Sequence, residues 1–347
     1  MVEIIDFTDY PQKFERTYGG ASGRKYDIDY NGEPWFLKFP SNIGDQVKDM
    51  SYSNGAVSEY IGSKIYESIG IETHETKLGI YGAKCVVACK DLVRDDEFPI
   101  TGFGEFKTTF VPTFCDSRGN ETNGNGTDLE EIIKTLKEHP KLRKYPELEE
   151  RFWDMFVVDA LIGNNDRNNG NWGMIKNING SYRMSPVFDN GAAFYPKSSE
   201  EKIEKVLNDE VLYRNSMYSG CICIFSLQGH TINPLKYIEK GENQDCNEAV
   251  KRIVPKVNLE KVQEIINEIP ETYAGVEIIT DNTKKLYSKL FQDRYEKVLV
   301  PVLEKIIEND KEIESVREQN AMEACMKRTA ARTAERKFGP MSRFSTS

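Results

Sequence analysis

The sequence predicts an α+β fold of two lobes, a small β-rich lobe with one helix followed by a larger, mainly helical lobe. Strand-like alternation of apolar and polar residues fills most of the first hundred positions. From residue 127 onward, apolar residues recur at helical spacing. Residues 94–126, which separate the two patterns, are polar, rich in glycine and without a period, as is typical of a linker.

The first lobe is predicted to contain two pairs of strands with a helix between them. KYDIDY and PWFLKFP flank the hairpin signal NGE, and ETKLGIYGAKCVVACKDL divides into two strands around a Tyr-Gly turn. Between these pairs an apolar residue recurs every fourth position, at Val57, Ile61, Ile65 and Ile69. This spacing predicts an amphipathic helix that begins at a Ser/Asn cap and ends at Gly70.

The second lobe is predicted to be built of helices. Thr127-Asp128-Leu129-Glu130 has the pattern of a capping box, and ERFWDMFVVDALIG is apolar nearly all round, which favours a helix buried inside the lobe. NLEKVQEIINEIP and KLYSKLFQDRYEKVLVPVLEKIIE predict further helices, the latter with a kink at Pro301.

Four segments follow from these patterns. They are an N-terminal lobe (1–95), a linker or insertion (96–126), a C-terminal helical lobe (127–310) and a basic tail (311–347). This order is the outline of a protein-kinase-like fold.

Composition excludes several classes of protein. The net charge of −10 argues against a protein that coats nucleic acid. No apolar run approaches the roughly 18 residues that span a bilayer, and MVEIIDFTDYPQKFE lacks the basic start of a signal peptide, so we expect a soluble cytoplasmic protein. The tail, basic from Lys327 onward, is predicted to be a solvated helix end, a contact for nucleic acid or an acidic surface, or a targeting signal.

Cysteine and histidine do not form a recognisable metal motif. Cys221-x-Cys223 is too closely spaced for ordinary zinc pairing and has no second pair, so the seven cysteines are predicted to be free or buried thiols in a reducing compartment. The three histidines, His74, His139 and His230, are scattered. A histidine-based metal site or a Ser-His-Asp triad is therefore not expected.

Two features of the first lobe are typical of a nucleotide site. The stretch YGGASGRK holds Gly19, Gly20 and Gly23, whose backbone N–H groups could approach a polyphosphate without obstruction, although an ordinary turn has the same composition. Lys38, in WFLKFP on the next strand, needs an anion or access to water because its neighbours are apolar. It would lie beneath the glycine-rich loop, or it could point outward from an edge strand.

Glu59 is the candidate ion-pair partner of Lys38 on the intervening helix. It is two residues from both Val57 and Ile61, so at 100° per residue it lies roughly opposite the apolar stripe. The helical phase alone therefore predicts a solvated glutamate.

Two polar turns follow apolar segments in the second lobe. Asp166-Arg167-Asn168-Asn169-Gly170-Asn171 contains Asp-x-x-x-x-Asn, the spacing of a kinase catalytic loop. In SPVFDNG an apolar strand delivers Asp189 into a glycine-containing turn, comparable in role to the Asp-Phe-Gly element that binds Mg²⁺. Either stretch alone could be an Asx-type turn, but their joint presence in this order favours a phosphotransferase site.

The combination resembles the HipA-like serine/threonine kinases over roughly residues 5–290. The resemblance rests on YGGASGRK, WFLKFP, SYSNGAVSEY, VVACKDL, WDMFVVDALIGNNDRNNGNWG and PVFDNG. It implies a bilobal kinase fold, binding of ATP and Mg²⁺, and autophosphorylation, for which Ser22 is a candidate acceptor.

The resemblance also implies a role for each matching residue. The nucleotide would contact the glycine-rich loop, Lys38 and an adenine-contacting hinge, with Glu59 as the partner of Lys38. Asp166 would be the catalytic base, and Asn171 and Asp189 the metal ligands. The family commonly has histidine two positions after the catalytic aspartate, and Asn168 stands there, which puts one supporting hydrogen bond in doubt. The nucleotide-contacting residues other than Lys38 are Gly19, Gly20, Ala21, Ser22, Gly23, Ala88, Cys89, Lys90 and Asp91.

The expected function is therefore an ATP- and Mg²⁺-dependent serine/threonine protein kinase that acts as a toxin or an exported effector. Its expected partners are a Ser/Thr-containing protein substrate and either an antitoxin or a host protein, with no membrane and no nucleic acid except through the basic tail. The alternatives are a nucleotide-binding pseudokinase or interaction module, and a kinase of a small molecule or lipid.

Overall fold

The computed structural model describes residues 1–14, 25–40, 54–110, 126–219 and 224–337. The glycine-rich loop, with Gly19, Gly20, Ala21, Ser22 and Gly23, lies outside these ranges. Among the described residues, no helix is both long enough and apolar enough to cross a membrane.

A five-stranded sheet forms the first part of the fold, in the order β1-β4-β5-β3-β2. β1 pairs with β4 in parallel and the other neighbours are antiparallel. The Asn31-Gly32 turn has φ of 57° and 83°, the two positive values of a type I′ hairpin, which confirms the predicted hairpin. The strands are β1 (Ile5–Asp6), β2 (Lys25–Tyr30), β3 (Glu33–Lys38), β4 (Thr76–Tyr81) and β5 (Lys84–Lys90).

The two faces of this sheet have different neighbours. Trp35 and Leu37 of β3 are buried in a cluster on one face that includes Phe7 and Ile28. Because side chains alternate along a strand, Phe36 and Lys38 occupy the opposite face. Helix α1 (Gly55–Ser68) packs against β4 and β5. The alternation therefore directs Lys38 inward, toward the helix, and not outward from an edge.

The second part of the chain is mainly helical, as predicted, with small sheets between the helices. β6 (Thr101–Gly102), β7 (Gly173–Lys176) and β8 (Tyr182–Met184) form an antiparallel sheet in that order. Two-residue strands form two further hairpins, Ser226–Leu227 with His230–Thr231 and Thr272–Tyr273 with Val276–Glu277. The helices are α2 (Phe103–Phe110), α3 (Leu129–Glu138), α4 (Glu147–Ile162), α5 (Glu200–Asn208), α6 (Glu210–Ser219), α7 (Pro234–Lys240), α8 (Gln244–Ile253), α9 (Leu259–Asn267), α10 (Asp281–Arg294) and α11 (Val300–Lys337).

Part of the segment predicted to be aperiodic is regular structure. Residues 101–110 form β6 and α2, and Phe103 and Phe106 of this helix are buried. Phe103 stacks on Trp172 with ring centroids 4.1 Å apart. Helix α2 has only eight residues and lies beside glycines, so its few aromatic residues do not form a recognisable helical period in the sequence. Residues 111–125 lie outside the described ranges, and the proposed segment boundaries at 95, 126 and 310 remain predictions.

Other details refine the expected helices. The N-cap of α3 is Asp128, one residue after the expected threonine, and its carboxylate accepts a hydrogen bond from the Glu130 N–H at 3.0 Å. A π-helical segment (Tyr295–Leu299) joins α10 to α11 directly before Pro301, where a kink was predicted. The described side chains of α11 from Lys311 to Ala330 are exposed.

Candidate active site

A buried ion-pair cluster brings together three elements that are far apart in the sequence. Lys38 Nζ of β3 lies 2.8 Å from Glu59 Oε2 of α1 and 2.9 Å from Asp189 Oδ1, which follows β8. Burial alone would lower the pKa of Lys38, but the Glu59 and Asp189 carboxylates outweigh it and raise that pKa above its usual value. Lys38 is therefore held as an ammonium cation between two carboxylates.

Glu59 contradicts the prediction from helical phase. Its side chain is 1% exposed, and α1 buries ten of its fourteen residues, so only a narrow part of the helix, which carries Lys64 and Glu67, faces solvent. Burial acts to raise the pKa of Glu59, but the Lys38 charge and the neighbouring His74 outweigh it and lower that pKa. The expectation carried by the family resemblance, an ion pair with Lys38, matches the geometry.

The second oxygen of Glu59 has its own partners. The Asn190 N–H donates to Glu59 Oε1 at 3.0 Å, and His74 Nε2 lies 2.8 Å from the same atom. A Cβ on Gly191 would lie 3.2 Å from Glu59 Oε2, so a side chain at this position would crowd the carboxylate. Glu59 thereby fixes both Lys38 and the turn that carries Asp189.

The asparagine-rich loop is fixed by its own amides. The amide of Asn171 donates to the Asp166 carbonyl at 2.6 Å, and Asn164 Oδ1 accepts from the Asp166 N–H at 3.3 Å. The amide of Asn168 donates to the Asp166 carboxylate Oδ1 at 3.1 Å. Asparagine thus makes a supporting hydrogen bond at the position where the resemblance led us to expect histidine. Three neutral asparagine side chains thus hold Asp166, two through its backbone and one through its carboxylate.

Arg167 joins the catalytic loop to the turn at Asp189. Its guanidinium is fully buried and pairs with Asp159 of α4, Nε to Oδ2 at 2.7 Å and a second nitrogen to Oδ1 at 3.0 Å. One nitrogen also donates to the carbonyls of Asn171 and Phe188, and another donates to Asn190 Oδ1 at 2.6 Å. The same side chain therefore fixes the residues beside both predicted metal ligands.

Sequence reasoning did not identify Arg167, Asp159 or His74 as part of the site. Tyr66 also belongs to this network, since its hydroxyl donates to Asp159 Oδ1 at 2.8 Å. The usable signal was Asp159 itself, an acid inside the apolar run FVVDALIG, because a buried charge needs a partner.

Asn171 and Asp189 have the right chemistry for a hard divalent cation. Mg²⁺ prefers carboxylate and other oxygen ligands. The Asn171 amide nitrogen is already bonded to the Asp166 carbonyl, which leaves Oδ1 as the end of that side chain able to face a cation. Asp189 adopts a left-handed backbone conformation with φ of 61°, an uncommon state that occurs at functional turns. The donor set thus fits the predicted metal.

A second group of potential metal ligands lies deeper in the site. Glu59, His74 and Cys89 offer ligand atoms within 4.8 Å of one another, all buried. Lys38 already supplies the positive charge for Glu59, and burial raises the pKa of the Cys89 thiol, which keeps it protonated. We assign no metal to this group. Among the described cysteines, Cys85, Cys89, Cys246 and Cys325 are free thiols.

The predicted hinge lies at the end of β5. Cys89 is buried on the same sheet face as Lys38, whereas the Ala88 side chain packs in the aromatic cluster on the other face. Lys90 Nζ pairs with Glu33 at 2.6 Å, and the Asp91 N–H donates to the Pro34 carbonyl at 3.0 Å. The Cys89 thiol lies within 4.8 Å of ligand atoms of Glu59 and His74. Nucleotide contact by any of the four residues stays a prediction.

Comparison with known proteins decides the family. The model of the HipA-like C-terminal domain matches residues 16–269. The chain belongs to the HipA-like family. It is 35% identical over 273 residues to the serine/threonine-protein kinase CtkA of Helicobacter pylori strain J99, covering 77% of this chain and 79% of that protein.

The fold of this HipA-like chain is also found in solved structures. The crystal structure of the Helicobacter pylori proinflammatory kinase CtkA matches with a TM-score of 0.78 and 30% identity, over 88% of this chain and 98% of that one. HipA of Shewanella oneidensis MR-1, in a complex with HipB and operator DNA, matches with a TM-score of 0.49 and 13% identity, over 84% of this chain and 69% of that one. The matches to CtkA and to the family confirm the prediction of a HipA-type serine/threonine protein kinase with an α+β, kinase-like fold.

Proposed function

We propose that this protein transfers the γ-phosphoryl group of ATP to serine or threonine hydroxyls, with Asp166, Lys38, Glu59, Asn171 and Asp189 in the roles that the motifs suggest. One observation carries the proposal: Lys38 contacts both Glu59 and Asp189, at 2.8 and 2.9 Å, and so links the sheet, α1 and the turn after β8. Kinases require this lysine–glutamate pair to position the nucleotide phosphates.

Positioning and charge compensation would provide the catalysis. Lys38 would hold the α- and β-phosphates, and Asn171 Oδ1 and the Asp189 carboxylate would hold Mg²⁺, which when bound offsets the charge that develops on the transferred group. Asp166 would orient the acceptor hydroxyl and accept its proton, with its carboxylate steered by the Asn168 amide at 3.1 Å. Arg167 would keep the two halves of this arrangement in register.

The biological setting is part of the same proposal. CtkA is described as a proinflammatory kinase, and the HipA structure contains its partner HipB and DNA. For this chain we propose a protein substrate, autophosphorylation with Ser22 as the first candidate acceptor, and action as a toxin or effector kinase. The negative net charge gives no support to direct nucleic-acid binding outside the basic tail.

The test is incubation of the full chain with γ-labelled ATP and Mg²⁺, followed by phosphoamino-acid analysis. We expect label on serine or threonine in the parent protein and none in Asp166→Asn. Nucleotide-dependent thermal stabilisation without any phosphoryl transfer would instead identify a nucleotide-binding pseudokinase. Label that appears only on an added small molecule or lipid would move the acceptor class away from protein.

A further inference from the structure

A groove of mixed polar and apolar lining opens beside the catalytic loop. It has a volume of about 480 Å³ and is lined by the start of α2, by Gly126-Thr127 and by Asn168-Asn169-Gly170. Ligand sites in proteins usually measure about 300–1,000 Å³, so the groove can take several residues of a bound chain. Asn168 belongs to the groove and also donates to the Asp166 carboxylate at 3.1 Å, which connects the groove directly to the predicted catalytic base.

Four of the residues that line the groove are glycines, namely Gly102, Gly104, Gly126 and Gly170. A Cβ on either Gly102 or Gly104 would lie 3.4 Å from Asn169, at the limit of ordinary van der Waals contact, so this part of the chain lies directly against the catalytic loop. The glycines expose backbone between the side chains of the groove, against which an extended polypeptide could lie.

Both threonine hydroxyls of the groove, and one N–H of the Asn169 amide, donate to carbonyls inside the protein. The Thr127 hydroxyl donates to the Ile224 carbonyl at 2.6 Å and the Thr108 hydroxyl to the Gly104 carbonyl at 2.9 Å. The Asn169 amide donates to the Gly126 carbonyl at 2.9 Å. Because a hydroxyl has one proton and two lone pairs, these groups present acceptors to anything bound in the groove.

One acceptor in the groove lacks a partner. Asn169 is only 7% exposed, and its Oδ1 has no hydrogen-bond partner among the described residues. A buried polar atom of this kind costs free energy unless a bound group supplies a donor. Because Asn169 Oδ1 itself has almost no exposed surface, the hydroxyls of Thr108 and Thr127 are the side-chain acceptors that line the groove, and they favour a ligand that brings N–H groups.

The charged residue of the groove also favours a ligand that brings donors, in this case basic ones. Glu105 is the one charged residue among the described residues that line it. Lys107, on the same helix, turns into the protein and pairs with Glu131 at 2.5 Å. Among the described residues, the lining of the groove thus combines acceptor atoms with a carboxylate and contains no cation for an acidic ligand.

We propose that this groove binds the acceptor segment of the protein substrate in an extended conformation and selects serine or threonine residues that have lysine or arginine close by. Backbone N–H groups of the segment would meet the acceptors of the groove, and the basic side chain would meet Glu105. The proposal rests on the protein-kinase function proposed above and specifies the substrate class for the same site.

The experiment measures phosphorylation by the full chain of peptides that carry one serine or threonine and, at each neighbouring position in turn, arginine, alanine or glutamate. In the parent, we expect arginine to raise kcat/KM about three- to fivefold over alanine, the range of a partly exposed ion pair. Glu105→Gln should remove this preference, and Glu105→Lys should reverse it toward glutamate. These changes should appear in the peptide KM, with kcat and the KM for ATP unchanged.

The matched control is Glu138→Lys, which makes the same charge reversal at an exposed position of α3 that does not line the groove. It should keep the parental preference. An unchanged peptide preference in both Glu105 variants, each folded by thermal melting, would overturn the groove proposal while Asp166-dependent autophosphorylation still supports the kinase. If the parent protein showed no phosphoryl transfer at all, the kinase function on which the groove proposal rests would be refuted instead.

Discussion

The two halves of the candidate site are held together by different interactions. The nucleotide side is built from charges, since Lys38 lies between Glu59 and Asp189 at 2.8 and 2.9 Å in a largely buried setting. The loop around Asp166 is built from neutral amides and backbone carbonyls, with Asn164, Asn168 and Asn171 as the supports. Arg167 is the side chain that contacts both halves.

This difference assigns a separate task to each half. A buried charge that loses its partner is costly, so the nucleotide side resists rearrangement and keeps its lysine ionised. Among the described residues, by contrast, no cation contacts the Asp166 carboxylate, which is oriented by the Asn168 amide. Its negative charge therefore remains available to an acceptor hydroxyl. Changes on the first side should alter binding and stability, whereas a change of Asp166 should alter the chemical step.

The largest effect is expected from exchanging the two aspartates for asparagine, one at a time. Asp166→Asn should lower the transfer rate about 10²- to 10⁴-fold because it removes the base that receives the hydroxyl proton. Binding of Mg-ATP should remain close to that of the parent. Asp189→Asn should weaken Mg-ATP binding, because it removes the negative charge that would bind the metal ion and that pairs with Lys38. Calorimetric affinity and autophosphorylation rate, measured for each variant, separate the two.

The opposite pattern would show that these roles are exchanged. If Asp166→Asn abolishes Mg-ATP binding while Asp189→Asn binds normally, the metal site lies on the catalytic loop. If both variants phosphorylate like the parent, the asparagine-rich stretch is an ordinary turn and the proposed mechanism fails.

The link between the halves should be the next most sensitive point. Arg167→Met leaves Asp159 as an unpaired buried carboxylate, a change that typically costs about 3–5 kcal/mol in the free energy of unfolding. The double change of Arg167→Met with Asp159→Leu should recover part of this loss, because it removes the unpaired charge together with its partner. Urea unfolding measures both. A loss below about 1 kcal/mol in the single variant would mean that Arg167 does not hold the two halves together.

The ion pair of Lys38 with Glu59 should show coupling of intermediate size. Lys38→Ala and Glu59→Ala should each lower kcat/KM, and the double change should differ from their sum by about 1–3 kcal/mol, since contacting residues are not independent. The double-mutant cycle is measured in kcat/KM for ATP at a saturating concentration of peptide.

Lys64 and Glu67 of the same helix provide a matched control. They lie 2.7 Å apart, but their side chains are 28% and 62% exposed, so the pair should contribute about 0.3 kcal/mol to folding stability and give a coupling close to zero in kcat/KM. Equal coupling in the two pairs would show that the Lys38–Glu59 contact has no special role in the reaction.

The sequence was most informative where the site is local. The hydrogen bonds of Asp166 with Asn164, Asn168 and Asn171 span five residues or fewer, so the local spacing could indicate a structured turn at the asparagine-rich loop. Strand alternation likewise predicted the two hairpins, and family resemblance brought Lys38, Glu59 and Asp189 together. These features depend on neighbours in the chain or on a motif quoted from it.

The parts that sequence reasoning missed depend on contacts between distant segments. Glu59 was assigned to solvent by its helical phase, because phase cannot reveal that α1 is covered on nearly all sides. Arg167 joins the two halves of the site through hydrogen bonds to Asp159, Phe188 and Asn190. The last two lie more than twenty residues away in the sequence. Helix α2 escaped detection because its burial comes from Trp172, not from a long apolar stripe of its own.

The smallest effect is expected at an ion pair that is equally short but lies outside the site. Arg183 contacts both oxygens of Glu97, at 2.6 and 2.8 Å, and this hydrogen bonding lowers the pKa of Glu97 to about 2 from the ordinary 4.5. Because the folded pKa is depressed, the pair adds stability above about pH 4.5, and that contribution is lost as the pH falls toward about 2. Arg183→Met should therefore cost about 1 kcal/mol at neutral pH, and the difference from the parent should shrink between about pH 5 and about pH 2. Urea unfolding across this range measures it. If the difference stayed constant with pH, the cost would come from the Leu92 carbonyl, which Arg183 also contacts at 2.9 Å, and not from the charge of Glu97.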